Sequence, residues 1–86
     1  MSKLKLDLHP IARDGAAIER ELDRVIEQAL ERRIRRVEIV TGKGTGQLKK
    51  RVLKFLERPA IRACYARIDK DPRNSGRLYV YFDHRG

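Results

Sequence analysis

The hexapeptide Thr41-Gly42-Lys43-Gly44-Thr45-Gly46 sits between an apolar, strand-like run and a strongly basic, helix-like run, and it constrains the fold more than any other part of the chain. Glycine at alternate positions tolerates positive φ and lets the backbone approach a bulky ligand, so the segment reads as a tight strand-to-helix connection. Lys43 adds a positive charge, and the helix that follows adds unpaired N–H groups at its start, so the same turn suits phosphate. It is not a nucleotide-binding P-loop. That pattern, Gly-x-x-x-x-Gly-Lys-Ser/Thr, places its lysine after the second glycine of a longer loop, and Lys43 comes too early. Nor is it a dinucleotide fingerprint, because Gln47 stands where the last glycine belongs. Taken alone, the turn is equally well explained as a plain connection.

Composition gives the turn a partner. The chain has 86 residues, a formal net charge of +9 and a pI of about 10.3, which describes one small domain with a limited core and a surface biased towards polyanions. Nucleic acid, DNA or RNA, is the default partner. An anionic membrane surface is the rival, but no stretch approaches the roughly 20 apolar residues of a spanning helix, and Met1-Ser2 opens no signal or lipidation motif. A cytoplasmic monomer is the expectation. The single Cys64 excludes an intrachain disulfide, and its place in an alternating run suits a small buried hydrophobe better than a nucleophile.

Residues 3–9, Lys-Leu-Lys-Leu-Asp-Leu-His, alternate polar and apolar as a strand with Leu4, Leu6 and Leu8 facing a core. Pro10 ends it. Asp14-Gly15 then caps a helix over about residues 15–33, with Ile18, Leu22, Val25, Ile26, Ala29 and Leu30 on one face. A second strand at 37–41 leads into the glycine turn and a second helix, whose apolar side is Leu48, Val52, Phe55 and Leu56 and which Pro59 stops. Residues 61–68 and 77–83 read as strands joined by the polar, turn-rich segment 69–76. The expected fold is α+β, a two-layer α/β sandwich of order β-α-β-α-β-β over a single domain, residues 1–86. Its mixed four-stranded sheet has a parallel first pair, an antiparallel last pair, two helices on one face and an open second face.

Charge is uneven over these elements. The first helix mixes signs, whereas the second carries Lys49, Lys50, Arg51, Lys54 and Arg58 against Glu57. At about 100° per residue, Lys50, Arg51, Lys54 and Arg58 fall away from the apolar side, so a cationic stripe lies beside the glycine turn. Its adjacency to the turn favours a nucleic-acid footprint over a merely solvated face. Asp7 and His9 share the open face of the first strand, about 7 Å apart, at its carboxyl end, where open α/β sheets bind ligands. With a parallel second strand, Asp7, His9, Thr41 and Lys43 converge. That set suits phosphodiester cleavage: His9 moves a proton, Asp7 orients it or holds a divalent metal, and Lys43 stabilises charge on phosphate. By spacing alone, an ordinary solvated strand face explains Asp7 and His9 at least as well. Tyr65, Tyr79 and Tyr81 alternate with apolar residues and so fall on the open face, where aromatic rings stack the bases of single-stranded RNA. They support a rival reading, a non-catalytic adaptor that binds RNA or the ribosome. The expected nucleic-acid contacts are thus Thr41, Gly42, Lys43, Gly44, Thr45 and Gly46, the helical cations, and Tyr79 and Tyr81.

Leu6-Asp7-Leu8-His9, followed about thirty residues later by Thr41-Gly42-Lys43-Gly44, with a helix after each and a closing hairpin, resembles the small MutS-related (Smr) domain over essentially the whole chain. The resemblance implies a two-layer fold similar to the C-terminal domain of translation initiation factor 3, nucleic-acid binding and, in some members, DNA nicking or RNA cleavage. The family's Leu-Asp-Leu-His motif carries over onto residues 6–9 and its His/Thr-Gly-x-Gly loop onto residues 41–44. Two positions depart from the pattern: Pro10 replaces the glycine common after the motif histidine, and Thr41 stands where many members have histidine.

Overall fold

Alternation of lysine and leucine produces β1 (Lys3–Asp7), with Lys3, Lys5 and Asp7 exposed, Leu6 buried and Leu4 half-buried. In the computed structural model, which describes residues 3–42, 46–73 and 76–83, the strand stops at Asp7 and not at His9. The Asp7 carboxylate folds back to accept the His9 backbone N–H at 2.9 Å, and Pro10 holds a single 3-10 turn at His9–Ile11. Leu8 nonetheless keeps its inward place, fully buried, and its N–H donates to the Val40 carbonyl at 2.9 Å.

The first helix, α1 (Gly15–Glu31), starts where Asp14 accepts the Ala17 N–H at 3.0 Å from an extended backbone. Ile18, Leu22, Val25, Ile26 and Ala29 form its buried face, while Leu30 lies off that face at 41% exposure. The helix closes when Arg33 takes φ 55° and the Ile34 N–H reaches back to the Ala29 carbonyl at 2.8 Å. This places the end at Glu31, short of residue 33.

β2 (Arg36–Val40) pairs parallel with β1, Lys3 opposite Arg36 and Asp7 opposite Val40. After the glycine turn comes α2 (Gln47–Leu56), which buries Val52, Phe55 and Leu56. Pro59 does more than terminate it. Residues 59–62 form a short helix, α3 (Pro59–Arg62), where the alternation at 61–68 predicts strand. Proline at the first turn is preorganised for a helix, and Ile61 and Cys64, three residues apart, both pack against the core as helical neighbours do. Cys64 is therefore half-buried, its Sγ donating to the Ala60 carbonyl at 3.3 Å, and is not a fully enclosed core residue. β3 (Arg67–Lys70) begins only after this turn and joins β4 (Arg77–Tyr81) as an antiparallel pair.

The strand order is β1-β2-β4-β3, with β4 antiparallel to both neighbours. Leu6, Val37, Ile39, Leu78 and Val80 face one way and share a single core with the apolar sides of α1 and α2. Lys5, Glu38, Tyr79 and Asp69 face the other way, in register across the sheet, so that face has no helix over it. Tyr65 is not on it. It is buried in the core, and its hydroxyl donates to the Leu56 carbonyl at 2.8 Å, closing the end of α2. Among the described residues no helix is long and apolar enough to cross a membrane.

Tyr65→Phe should leave that carbonyl without its partner and cost about 1–1.5 kcal/mol, read as a fall in Tm of roughly 5–10 °C. Burial pushes the Tyr65 phenol above its ordinary value of 10.0. The contribution of the neutral phenol is therefore complete below about pH 10 and is lost as pH rises through the raised folded value. The stability gap between the wild type and Tyr65→Phe should narrow across that alkaline window in denaturant titrations.

Candidate functional site

Parallel pairing sends the chain out of β1 and β2 at the same edge of the sheet, and the two sequence motifs meet there. Gly42 has φ +80°, and a Cβ at that position would lie 2.9 Å from His9 Cδ2 and 3.7 Å from Nε2, so the imidazole is packed against the Gly42 backbone. Glycine answers two demands at this point, the left-handed backbone and the close approach. The N–H groups of Thr41 and Gly42 both donate to the Gly76 carbonyl, at 2.7 and 3.0 Å, tying the exit of β2 to the start of β4.

Asp7 lies at the end of β1. Its carboxylate is hydrogen-bonded to the backbone N–H of His9, so it fixes the turn that carries the imidazole instead of aligning the ring. Among the described residues no group of three or more His, Cys, Asp or Glu side chains is placed to hold a metal ion. Thr41 is 5% exposed, on the inward side with Val37 and Ile39, and its Oγ1 has no hydrogen-bond partner. Lys43, Gly44 and Thr45 lie outside the described residues, and Gly46 caps the start of α2 at φ +85°.

Of the exposed cations here, Lys50, Arg51 and Lys54 belong to α2, and Arg58 lies just beyond its end. Lys50, Arg51, Lys54 and Arg58 line, with Gln47, Phe55 and Glu19, an open groove of about 690 Å³ between α2 and α1. Arg51 reaches the first turn of α1, where a Cβ on Gly15 would overlap its guanidinium. Gly15, weaker in a helix than alanine by roughly 0.5–1 kcal/mol, is thus explained by the arginine that crosses it. Glu19 is the one carboxylate of the lining and pairs with Arg58 at 3.1 Å, while the Arg58 guanidinium also lies 4.8 Å from the Phe55 ring centre. Both side chains of that ion pair are about half exposed, so the pair is weak and exchangeable. Lys49 is half-buried and is not among the groove residues. Glu19 and Gly15 escaped the sequence reading because the mixed charge of the first helix does not show which of its acids faces α2.

Tyr79 and Tyr81 are half-buried on the helix-free face of the sheet, as the alternation predicts. Arg36 lies 5.1 Å from the Tyr79 ring centre and Arg67 lies 4.5 Å from that of Tyr81. Neither arginine belongs to the expected contact set, and the strand register alone brings them to the rings.

Gly42→Ala should cost about 1–3 kcal/mol through backbone strain and should move the His9 ring resonances, since the new methyl occupies the imidazole's place. Gly46→Ala is the control: it has the same sign of φ but nothing within 4 Å of the new Cβ, so it should destabilise without disturbing His9. Unmoved His9 resonances in Gly42→Ala would contradict the packing described.

No curated protein matches the sequence. Among solved structures, the fold is similar to the crystal structure of the Smr domain of Thermus thermophilus MutS2, with a TM-score of 0.73 and 21% identity over 98% of this chain and 100% of that one. At that identity the likeness bears on the fold. The family model for the Smr domain matches residues 6–83, from the first motif through β4. A chain whose two motifs meet at the ends of a parallel strand pair, and whose sequence fits that model over nearly its full length, belongs to the Smr domain family.

Proposed function

We propose that this Smr domain binds nucleic acid through the phosphate backbone, along the groove between α1 and α2, and presents a phosphodiester to His9 for cleavage. One observation carries the reading: the imidazole of His9 packs on Gly42 at the turn that leads directly into the cationic helix. Four groove cations stand against one carboxylate, which gives a surface complementary to a polyanion. Such contacts position a backbone without reading bases, so binding is expected to be largely indifferent to sequence. His9 is exposed and able to exchange a proton with an attacking or departing oxygen, while Asp7 holds the turn that places it.

Engagement of roughly four phosphates should give a log–log salt slope near −3 to −4 for binding, and a flat slope would reject the electrostatic reading. Lys50→Glu with Lys54→Glu should weaken all sequences alike. Glu19→Gln should tighten binding a few-fold, because it removes the groove's own anion and releases Arg58.

His9→Ala should reduce single-turnover cleavage of labelled DNA or RNA by about 10²-fold while leaving affinity within a few-fold. Asp7→Asn retains an acceptor oxygen for the His9 N–H and should keep most activity, whereas Asp7→Ala should lose much of it. Undiminished cleavage by His9→Ala would place the chemistry elsewhere.

A further inference from the structure

We propose that the helix-free face of the sheet is a second, separate binding surface, and that its ligand is single-stranded nucleic acid. The register aligns Lys3, Arg36, Tyr81 and Arg67 in one row across all four strands, three cations around an aromatic ring. The next row adds Lys5 and Tyr79. Both tyrosines lie on one strand with their side chains about 7 Å apart, far enough for each ring to take its own base. Between them and the β3–β4 connection runs a shallow groove of about 380 Å³ lined by Tyr79, Tyr81, Arg36 and residues 69–73.

Three acids on this side are held by two arginines. Glu38 pairs with Arg77 at 3.1 Å, Asp71 with Arg77 at 3.5 Å and Asp69 with Arg67 at 3.4 Å. Lys3, Lys5 and Arg36 remain as charge for an anion, beside two half-exposed aromatic rings. Rings interleaved with cations on a flat sheet match unpaired bases and their phosphates, whereas a duplex hides the base faces that such rings would stack. A base that stacks on either ring takes the place of the arginine now over it, and that guanidinium is then beside the base's own phosphate. This surface is not the α1–α2 groove. It lies on the opposite side of the sheet, and Tyr81 pairs with Arg36, about 13 Å along β2 from Val40, where the His9 edge begins.

The chain has no tryptophan, and of its three tyrosines Tyr65 is buried out of a ligand's reach, so quenching of tyrosine emission by a stacking ligand reports on Tyr79 and Tyr81. Titrating the full chain with oligothymidylate or oligouridylate of about twelve nucleotides should quench that emission. By anisotropy with labelled oligonucleotides, Tyr79→Ala and Tyr81→Ala should each weaken single-strand binding about tenfold, with duplex binding unchanged. Tyr79→Phe and Tyr81→Phe should retain it, because stacking needs the ring and not the hydroxyl. Lys50→Glu with Lys54→Glu should weaken duplex and single-strand binding together, whereas the tyrosine variants should act on single strands alone, and this distinguishes the sheet face from the groove. Arg36→Glu with Arg67→Glu gives a second route if an alanine variant fails to fold, and should cause the same selective loss. Wild-type single-strand affinity in the folded alanine or arginine variants would overturn the proposal, as would an equal loss of duplex binding in the tyrosine variants.

Discussion

Everything at the candidate site depends on the parallel pairing of β1 with β2. The ladder puts Asp7 opposite Val40, and the Leu8 N–H extends it by one more bond to the Val40 carbonyl. Only then do His9 and Gly42, far apart in sequence, come into contact. A parallel pair cannot be closed by a tight turn, so the contact rests on α1, whose buried face covers the sheet and holds the crossover in place. The apolar residues of α1 therefore matter to function although none touches a ligand. They replace the entropy lost in closing the long connection with burial in a common core.

Local preference is broken repeatedly around this edge of the molecule. Gly15 stands in the first turn of a helix, Gly42 and Gly46 hold positive φ, and Thr41 encloses a hydroxyl with no partner among the described residues. Each is a small cost to the fold, and the groove cations add mutual repulsion with one carboxylate to offset it. Costs of this kind gather where a fold serves something other than its own stability. Elsewhere the described chain has a capped helix, an alternating sheet and one further exception, Arg33, which holds φ 55° to close α1.

Most of the fold was legible because its signals are local. Leu4, Leu6 and Leu8 alternate, Ile18 to Ala29 repeat at helical spacing, and Asp14 is a cap by its chemistry alone. Residues 59–66 misled the same reasoning. Ile61, Ala63 and Tyr65 alternate as a strand would, yet Pro59 had already set a helical turn, and Ile61 with Cys64 satisfies the core at a spacing of three. Short apolar runs carry both periods at once, and the preceding proline was the signal that should have decided between them.

The sequence by itself determined the order of the four strands and the two longer helices, the buried faces of β1, β2 and β4, the basic character of α2 and the pairing of two motifs that marks the family. These follow from backbone periodicity, turn chemistry and charge, which act over a few residues. Tertiary structure decided the rest: that Asp7 binds the His9 backbone, that the cations face α1 across a groove containing Glu19, that Thr41 turns inward, and that Tyr65 leaves the open face while Arg36 and Arg67 arrive beside Tyr79 and Tyr81. Apart from the Asp7–His9 bond, which spans two residues, such contacts join residues distant along the chain, and which atoms meet is set by packing and strand register, quantities that no local pattern encodes.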